Sequence, residues 1–513
     1  MFGIDRGQAR GVRRFSWTDV DDDATPEARV RLLSDIDDGV GDESLRLSDV
    51  GKLARRARRR IVGAARAEDR LTFASLITEH LGVPLEGVEV VEESWPSYDL
   101  VNVQVGLNAW LDGSDSRVAA VSRSHRLIGF AGHRDRDFGL ADLLQRGDGE
   151  HYGPRPGNVS WSNLASGPDG QVQRAVRAGL YLVTEGPTRS AILVLAADPG
   201  SGMGSAQVHV VANRPGVANA VARAIRQLAL VHNVFRGQVI SFGRDMFGDR
   251  GAALQFHRRP TLLDDEVILP AETLATIGRQ VVGVAEHRER LLGARQHLKR
   301  GLLLYGPPGV GKTHSVRYLM SKLEAVTIVQ LTGNSLGLID TACSVARTLQ
   351  PAMVVVEDVD LIAEDRGMHP GHHPLLFQLL NEMDGLAEDA DVVFLLTTNR
   401  ADLLEPALAA RPGRVDQAVP LELPDAHART RLFRLYRGGL VVDESRLDAV
   451  IARTEGVTAS FLKELLRRSA LIAATESDSA DLTVSADQLD AALSELLDTR
   501  NAMTRVLLGG GKD

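Results

Sequence analysis

The sequence is most constrained by a glycine-rich stretch that lies between a predicted strand and a predicted helix. Its eight residues are Gly306, Pro307, Pro308, Gly309, Val310, Gly311, Lys312 and Thr313. An apolar run at 302–305 indicates a buried strand before it, and 314–323 indicates a helix after it. The stretch matches G-x-x-x-x-G-K-[ST], which in this context is a phosphate-binding loop. A glycine-rich turn that arises by chance has no need of a strand before it and a helix after it. We therefore expect an α/β domain that binds a nucleotide.

Each residue type in this loop has a physical task. Glycines let successive backbone N–H groups face one anion, and the positive end of the following helix adds to that field. Lys312 is expected to contact the β- and γ-phosphates, and Thr313 offers a hydroxyl to Mg²⁺. His314, which opens the helix, and Gly283, which ends the preceding connector, are further predicted nucleotide contacts.

Composition narrows the class of protein. A chain of 513 residues is too long for one core, so two or three domains are expected. The net charge of −9 gives no general reason to expect nucleic acid. Cys343 is the only cysteine, which fits a reducing compartment. No apolar run approaches the ~18 residues of a membrane span, and the first residues do not form a secretory signal, so we expect a cytoplasmic location.

The chain before the loop divides into three predicted parts. Residues 1–69 are a charged, partly disordered segment, whose basic run at 52–60 is either a patch for an acidic partner or, as we favour, a solvated helix face. Residues 70–255 are a predicted α/β recognition domain with a helix after Pro215, and residues 256–282 are a connector. The predicted strands of the recognition domain are 87–91, 100–105, 118–121, 180–183, 192–195, 208–211 and 239–242.

Two acids follow an apolar run behind the loop. Residues 353–356 predict a buried parallel strand that delivers Glu357 and Asp358 at its carboxyl end. One acid can hold the Mg²⁺ shell, usually through water, and the other can orient or deprotonate the attacking water. Asn399 ends the next apolar strand, 392–396, where it can reach the γ-phosphate and that water.

Two arginines complete the set of candidate catalytic residues. Arg411 and Arg414 lie three apart on a predicted short turn. Their charge suits stabilisation of the phosphate oxygens as the bond breaks, a role that a neighbouring subunit can supply.

With these residues in place, 282–470 resembles the AAA family of ATPases. GPPGVGKT is similar to its Walker A motif, MVVVEDVD to its Walker B motif, TTNR to its sensor 1 strand and LEPALAARPGR to its second region of homology. The resemblance implies a P-loop NTPase parallel sheet in residues 256–425, a C-terminal helical lid in 426–513, and a separate α/β domain before them. It also implies ATP and Mg²⁺, a homo-oligomeric ring, most often a hexamer, and Arg411 and Arg414 acting across the subunit interface.

Three departures from the family pattern affect the prediction. The usual Asp-Glu of Walker B is Glu357-Asp358, so by register Glu357 takes the metal position and Asp358 the water-activating position, unless the roles exchange. The stretch 333–351 is short and holds no aromatic residue, so the family's pore loop is missing. The segment 406–411 is one residue longer than usual. The first two departures resemble the mitochondrial AAA translocase that moves the folded Rieske iron–sulfur protein.

These features leave three functional hypotheses. The leading one is a protein-remodelling, chaperone-like ATPase that engages a protein partner through residues 70–255. The second is a slow nucleotide-switched interaction or signalling module, which the reversed acids and the missing aromatic favour. The third, an ATPase linked to nucleic acid through the basic run at 52–60, is the least favoured.

Overall fold

The structure is a computed structural model that describes residues 72–113, 123–131, 138–144, 154–197, 204–244, 252–360, 374–387, 389–402, 415–477 and 481–498. The predicted segment 1–69 and the predicted strand 118–121 therefore lie outside the described residues. All of the described residues belong to one compact unit, Leu71–Asp513.

The first half of this unit is built on an antiparallel sheet, here called the N-terminal sheet. Its strands are β1 (Val90–Pro96), β2 (Ser124–Ala131), β3 (Arg155–Gly157), β4 (Ser160–Ala165), β5 (Val172–Glu185), β6 (Thr188–Leu195) and β7 (Ser205–Ala212). Their order is β1-β7-β6-β5-β2-β3, with β4 also paired to β5. The predicted strands 180–183, 192–195 and 208–211 are confirmed, and the one predicted at 87–91 begins at Val90 instead.

Four helices cover the two faces of the N-terminal sheet. They are α1 (Phe73–Leu81), α2 (Leu100–Asp112), α3 (Leu140–Leu144) and α4 (Val217–Val231). Helices α2 and α4 share one apolar core with the sheet, and α1 and α3 share another. At Gly106 of α2 a Cβ atom would lie 2.6 Å from the backbone nitrogen of Ala229 in α4, so only glycine allows the two helices to approach this closely.

The strand predicted at 100–105 is wrong, because this segment is the start of α2. The alternation of Val and polar residues there has the period of a half-exposed strand. The polar residues Asn102 and Gln104 are buried, however, at 0% and 1% exposure. Gln104 Nε2 donates to Asn108 Oδ1 and Tyr181 Oη, and its Oε1 accepts from Val176 N. The pattern assigns these two polar residues to the solvent-exposed face, but hydrogen bonds hold them inside the core.

The second half is built on a largely parallel sheet, here called the nucleotide sheet. Its strands are β8 (Val239–Arg244), β9 (Ala252–His257), β10 (Arg300–Tyr305), β11 (Thr327–Leu331), β12 (Ala352–Val356), β13 (Val392–Thr398) and β14 (Gln417–Pro420). The order is β14-β10-β13-β12-β11-β8-β9, and only the β8–β9 pair is antiparallel. Every residue of β12 and β13 is buried, as expected for parallel strands covered on both faces.

The predicted strand 239–242 is confirmed as β8, but its position differs from the predicted division of the chain. It was assigned to the domain 70–255, whereas Val239 pairs with Ile328 of β11 in the nucleotide sheet. Strand β9 then pairs with β8 and forms the edge of that sheet. An apolar run predicts a buried strand but does not name its neighbour, so the sequence could not assign β8 to its sheet.

The remaining helices flank the nucleotide sheet or form the C-terminal lid. Those of the sheet are α5 (Ala271–Gly278), α6 (Val284–Glu286), α7 (Arg288–Gly293), α8 (Lys312–Lys322), α9 (Ile339–Thr348) and α10 (Pro374–Asp384). Those of the lid are α11 (Ala426–Arg437), α12 (Leu447–Arg453), α13 (Ala459–Glu476) and α14 (Ala486–Leu497), which share one core. The fold is therefore the expected P-loop sheet and helical lid behind a separate N-terminal α/β region.

Candidate nucleotide-binding and hydrolysis site

The glycine-rich loop joins β10 to α8, as the sequence predicts. At Gly306, which has φ +151°, a Cβ atom would lie 2.2 Å from the carbonyl oxygen of Leu421. Gly311 caps α8 at φ +105°, in the left-handed region that side chains avoid. These two positions require glycine, and they aim the first N–H groups of α8 into the loop.

Lys312 is held within this loop. Its Nζ donates to the carbonyl oxygens of Gly306 at 2.7 Å and Pro307 at 2.8 Å. Burial lowers the pKa of Lys312, and the charges of Asp358 and Asp360 oppose that shift. The carbonyls and the two acids hold a buried ammonium group at the position where phosphate is expected, and an incoming phosphate can replace the carbonyl oxygens as its partners.

A cavity of ≈ 500 Å³ opens beside the loop. Its lining includes Lys312 and Thr313 from α8, Asp358 after β12, and Asn399 after β13. The structure therefore brings together four predicted site residues from three separate strand ends. The lid contributes Ser460 and Lys463 to the same cavity, and Ser460 N donates to the Gly309 carbonyl at 3.2 Å. No sequence signal singled out Ser460, because its position depends on how the lid packs.

The two adjacent acids are placed differently. Asp358 lines the cavity, and Asn399 Nδ2 approaches its Oδ1 at 3.4 Å. Its backbone has φ +53°, a strained conformation for a residue with a side chain, which is fixed by a hydrogen bond from its N–H to Thr397 Oγ1 at 3.1 Å. Glu357 is not among the residues that line the cavity. Burial and the charge of Asp358 raise the pKa of Glu357, and Arg317 opposes the shift.

A third acid, Asp360, was not singled out from the sequence. Its side chain is 7% exposed, and its Oδ1 accepts from Thr398 Oγ1 at 2.8 Å and from Asn399 N at 3.3 Å. Thr398 Oγ1 in turn accepts from Arg400 N at 2.9 Å. Asp360 therefore fixes the turn that carries Asn399. The signal was the last letter of the run EDVD, two residues after Asp358, and only the structure shows its partners.

A second cavity, of ≈ 390 Å³, adjoins the first, and Ile268, Leu269 and Leu423 are among the apolar side chains that line it. It lies between the connector residues 266–271, the start of α8 and the lid helix α11. His314 lines both cavities, and its Nε2, assigned as the protonated nitrogen, donates to the Glu266 carbonyl at 2.9 Å. Tyr436 of α11 also lines both. The site therefore has a charged end and an apolar end, as a nucleotide requires.

Comparison with known proteins agrees with this geometry. Residues 302–423 match the family described as ATPase family associated with various cellular activities (AAA). This part of the chain is therefore similar to an AAA ATPase domain.

Curated proteins are also similar to part of the chain. The ATP-dependent zinc metalloprotease FtsH of Mycobacterium leprae is 33% identical over 204 residues, which is 37% of this chain and 25% of that protein. FtsH of Thermus thermophilus is 33% identical over 199 residues, 36% of this chain and 31% of that protein. FtsH 3 of Symbiobacterium thermophilum is 28% identical over 279 residues, 52% of this chain and 42% of that protein. The chain thus spans less than half the length of these relatives.

Some predicted residues are not brought to the AAA site by the described structure. Gly283 ends a π-helical turn, Arg279–Gly283, and is not among the residues that line either cavity. The connector contributes residues 266–271 instead, because Pro270 and the residues before it run past the start of α8. Arg411 and Arg414 lie outside the described residues, so their predicted role stays a prediction.

The donor set fits a magnesium ion held with its substrate. Thr313 lines the cavity and offers a hydroxyl, and Glu357, the acid predicted for the metal, directly precedes the cavity-lining Asp358 and can act through water. Among the described residues there is no group of three or more His, Cys, Asp or Glu side chains that could hold a metal alone. Mg²⁺ ordinarily takes one or two protein ligands and completes its shell with water and phosphate, so the two groups suffice.

No helix within the described ranges is long and apolar enough to cross a membrane.

Proposed function

We propose that this protein binds ATP with Mg²⁺ and hydrolyses the bond between the β- and γ-phosphates. The observation that carries the proposal is the convergence of Lys312, Thr313, Asp358 and Asn399 on one cavity that continues into an apolar pocket. The match of residues 302–423 to the AAA family supports the same activity.

The residues divide the chemical work. Lys312 and the N–H groups of the loop hold the phosphates, while Thr313 and one acid serve Mg²⁺, which neutralises phosphate charge when bound. Asp358 accepts a proton from the water whose oxygen attacks the γ-phosphorus, and the bond to the bridging oxygen breaks. Asn399 orients that water. The lining of the cavity supports Asp358, rather than Glu357, in the position nearest the reacting atoms.

The activity is proposed to be that of a ring. In AAA proteins the site lies between subunits, and Arg411 and Arg414 are expected to reach the phosphates of a neighbour. A hexamer is the favoured assembly, in the cytoplasm. The change Arg414→Ala should then lower turnover and spare nucleotide binding. Full turnover of the assembled variant would count against the role across the interface.

The work done with ATP is proposed to be remodelling of a protein partner through the N-terminal sheet and its helices. The short segment after β11 favours a folded partner over a threaded chain, as in the resemblance to the Rieske-protein translocase. The names of the FtsH relatives include a protease activity, which we do not propose for this protein. The alternative, a slow nucleotide-switched interaction module, is favoured by the reversed order of Glu357 and Asp358.

Calorimetry on Lys312→Ala tests the nucleotide site. We expect ATP affinity to fall more than about a thousandfold, equivalent to ~4 kcal/mol, because a buried charge on the phosphates is removed. Lys322→Ala is the matched control, since Lys322 lies on the same helix but pairs with Asp264 at 2.6 Å. Unchanged affinity in Lys312→Ala would refute the proposed site.

Turnover measurements separate the two functional candidates. A remodelling machine should hydrolyse ATP faster when its partner is present, whereas a switch should stay slow. Asp358→Asn, which should bind ATP without hydrolysing it, provides a trapped state from which the partner can be recovered and then added back.

A further inference from the structure

The segment between β11 and α9 packs against β8, the strand that follows the N-terminal sheet and its helices in the chain. Residues Gly333–Leu338 form a 3₁₀ helix, here called the joint segment. Leu336 is 5% exposed and belongs to the apolar core that also contains Val101 of α2 and Phe242 of β8, and Leu338 packs against that core. The joint segment therefore shares one apolar core with α2 of the N-terminal domain and with the nucleotide sheet.

Aromatic and polar contacts tighten this meeting point. The Tyr98 ring stands edge-on to the Phe242 ring, with centroids 5.3 Å apart. The Oδ1 atom of Asn102, in the buried first turn of α2, accepts from Val234 N at 2.8 Å. Burial, followed by the charges of Asp99 and of Asp340, raises the pKa of Tyr98 to about 12. Through Phe242, Tyr98 connects the N-terminal domain to β8, against which the joint segment packs.

The other end of the joint segment leads directly to the catalytic acids. Strands β11 and β12 pair in parallel, and Glu357 N donates to the Leu331 carbonyl at 3.1 Å. Thr332 then starts the joint segment with a reciprocal cap, in which Thr332 N donates to Ser335 Oγ at 2.8 Å and Ser335 N to the Thr332 carbonyl at 3.0 Å. Only a few residues, held by these hydrogen bonds, connect the backbone beside Glu357 to the buried Leu336.

We propose that the joint segment is a mechanical coupling that passes the state of the nucleotide site to the N-terminal domain. This inference rests on the proposed ATPase function. Packed cores change between discrete arrangements rather than deforming smoothly, so a shift of β11 and β12 on nucleotide binding must move the residues packed on Leu336. Since Leu336 and Leu338 contact this core, they are engaged within the subunit rather than offered to an external chain.

Hydrogen exchange measured by mass spectrometry tests the coupling on the full chain. The observable is amide protection in α2, with and without a non-hydrolysable ATP analogue, beside ATP affinity by calorimetry. In the unaltered protein we expect the analogue to change α2 exchange about fivefold or more, the lower bound of typical coupling between sites. Leu336→Ala should abolish that change and leave ATP affinity in place. It should also speed α2 exchange without nucleotide, because the apolar core that Leu336 shares with Val101 of α2 is loosened.

Leu76→Ala is the matched control, since Leu76 is 6% exposed and lies in α1, in the other core of the N-terminal domain. It should leave the nucleotide response of α2 intact. If the unaltered protein binds ATP and α2 does not respond, the coupling is overturned and the ATPase proposal stands. If ATP does not bind, the ATPase proposal fails. In that case, unchanged α2 exchange in nucleotide-free Leu336→Ala would still overturn the proposed coupling through the joint segment.

Discussion

The two seven-stranded sheets use their strand ends differently. In the nucleotide sheet, the neighbouring strands β10, β13 and β12 run parallel, so their carboxyl ends meet at one edge and deliver Lys312, Asn399 and Asp358 to one cavity. In the N-terminal sheet the described pairs are antiparallel, and hairpins such as β5–β6 return the chain at once. Polar groups at successive strand ends therefore point to opposite edges.

The buried polar groups show the same contrast. In the N-terminal domain, Gln104 directs its hydrogen bonds to Asn108, Tyr181 and Val176, all within the fold. Beside the nucleotide sheet, the buried Lys312 instead lines the cavity. Buried polar residues thus stabilise one region and prepare the other for a ligand. Four predictions challenge or sharpen this division, beginning with the largest effect.

The sharpest test of the nucleotide sheet compares its two adjacent acids. Asp358→Asn should lower ATP turnover on the order of a hundredfold or more, because it removes the proposed proton acceptor from the cavity. Glu357→Gln should lower it less, since Glu357 does not line that cavity. Steady-state turnover at saturating ATP measures both. A larger loss in Glu357→Gln would mean that the acids exchange roles.

The support of the sensor turn should matter nearly as much. Asp360→Ala leaves the Thr398 hydroxyl and the Asn399 N–H without their acceptor, which costs about 1–3 kcal/mol and should lower turnover about tenfold to a hundredfold. Asp360→Asn keeps an acceptor oxygen and should restore much of the rate. Equal losses in the two variants would show that the charge, not the hydrogen bonds, is what counts.

Two adjacent arginines contact different regions, Arg259 the nucleotide region and Arg258 the N-terminal domain, so their contributions to stability can be compared directly. Arg259 donates to the carbonyls of Met320, Leu323, Gly237 and Val326, all within 2.9 Å. Arg259→Met should lower the free energy of unfolding by about 2 kcal/mol, because partly buried carbonyls lose their donors. Arg258, 79% exposed and paired with Asp169 of the N-terminal domain, should contribute at most about 0.5 kcal/mol. Denaturant unfolding of Arg259→Met and of the corresponding Arg258→Met measures the two losses of stability, and similar losses would contradict this prediction.

The smallest effect concerns pH and the N-terminal domain. Buried His209 accepts a hydrogen bond at Nδ1 from Leu140 N at 3.3 Å, which requires a neutral ring. Burial lowers the pKa of His209 from its ordinary 6.5, against the charges of Glu92 and Asp142. The stabilisation is therefore full above about pH 6.5 and is lost as pH falls below that value. His209→Gln should make unfolding less pH-dependent below about pH 6.5, as measured by tryptophan fluorescence, and an unchanged profile would contradict this prediction.

The sequence predicted the nucleotide region better because its chemistry is local. The loop 306–313 and the acids after β12 each depend on neighbours a few residues away, and the structure confirms their elements. The errors arose where distant contacts decide. Asn102 and Gln104 are buried by partners in other elements, and β8 pairs with a strand almost ninety positions later in the chain, about which an apolar run says nothing.

The pairing of β8 with β11 also determines where the chain can be cut. A protein shortened to begin at residue 258 would keep the loop and both acids but would lose β8 and β9. Strand β11 would then become the edge, and its row of unpaired N–H and C=O groups would flank the buried residues Ile328 and Val329. Exposed apolar edges of this kind recruit other strands, so the isolated ATPase region would tend to aggregate. Retaining residues 234–257 is therefore a condition for studying that region by itself.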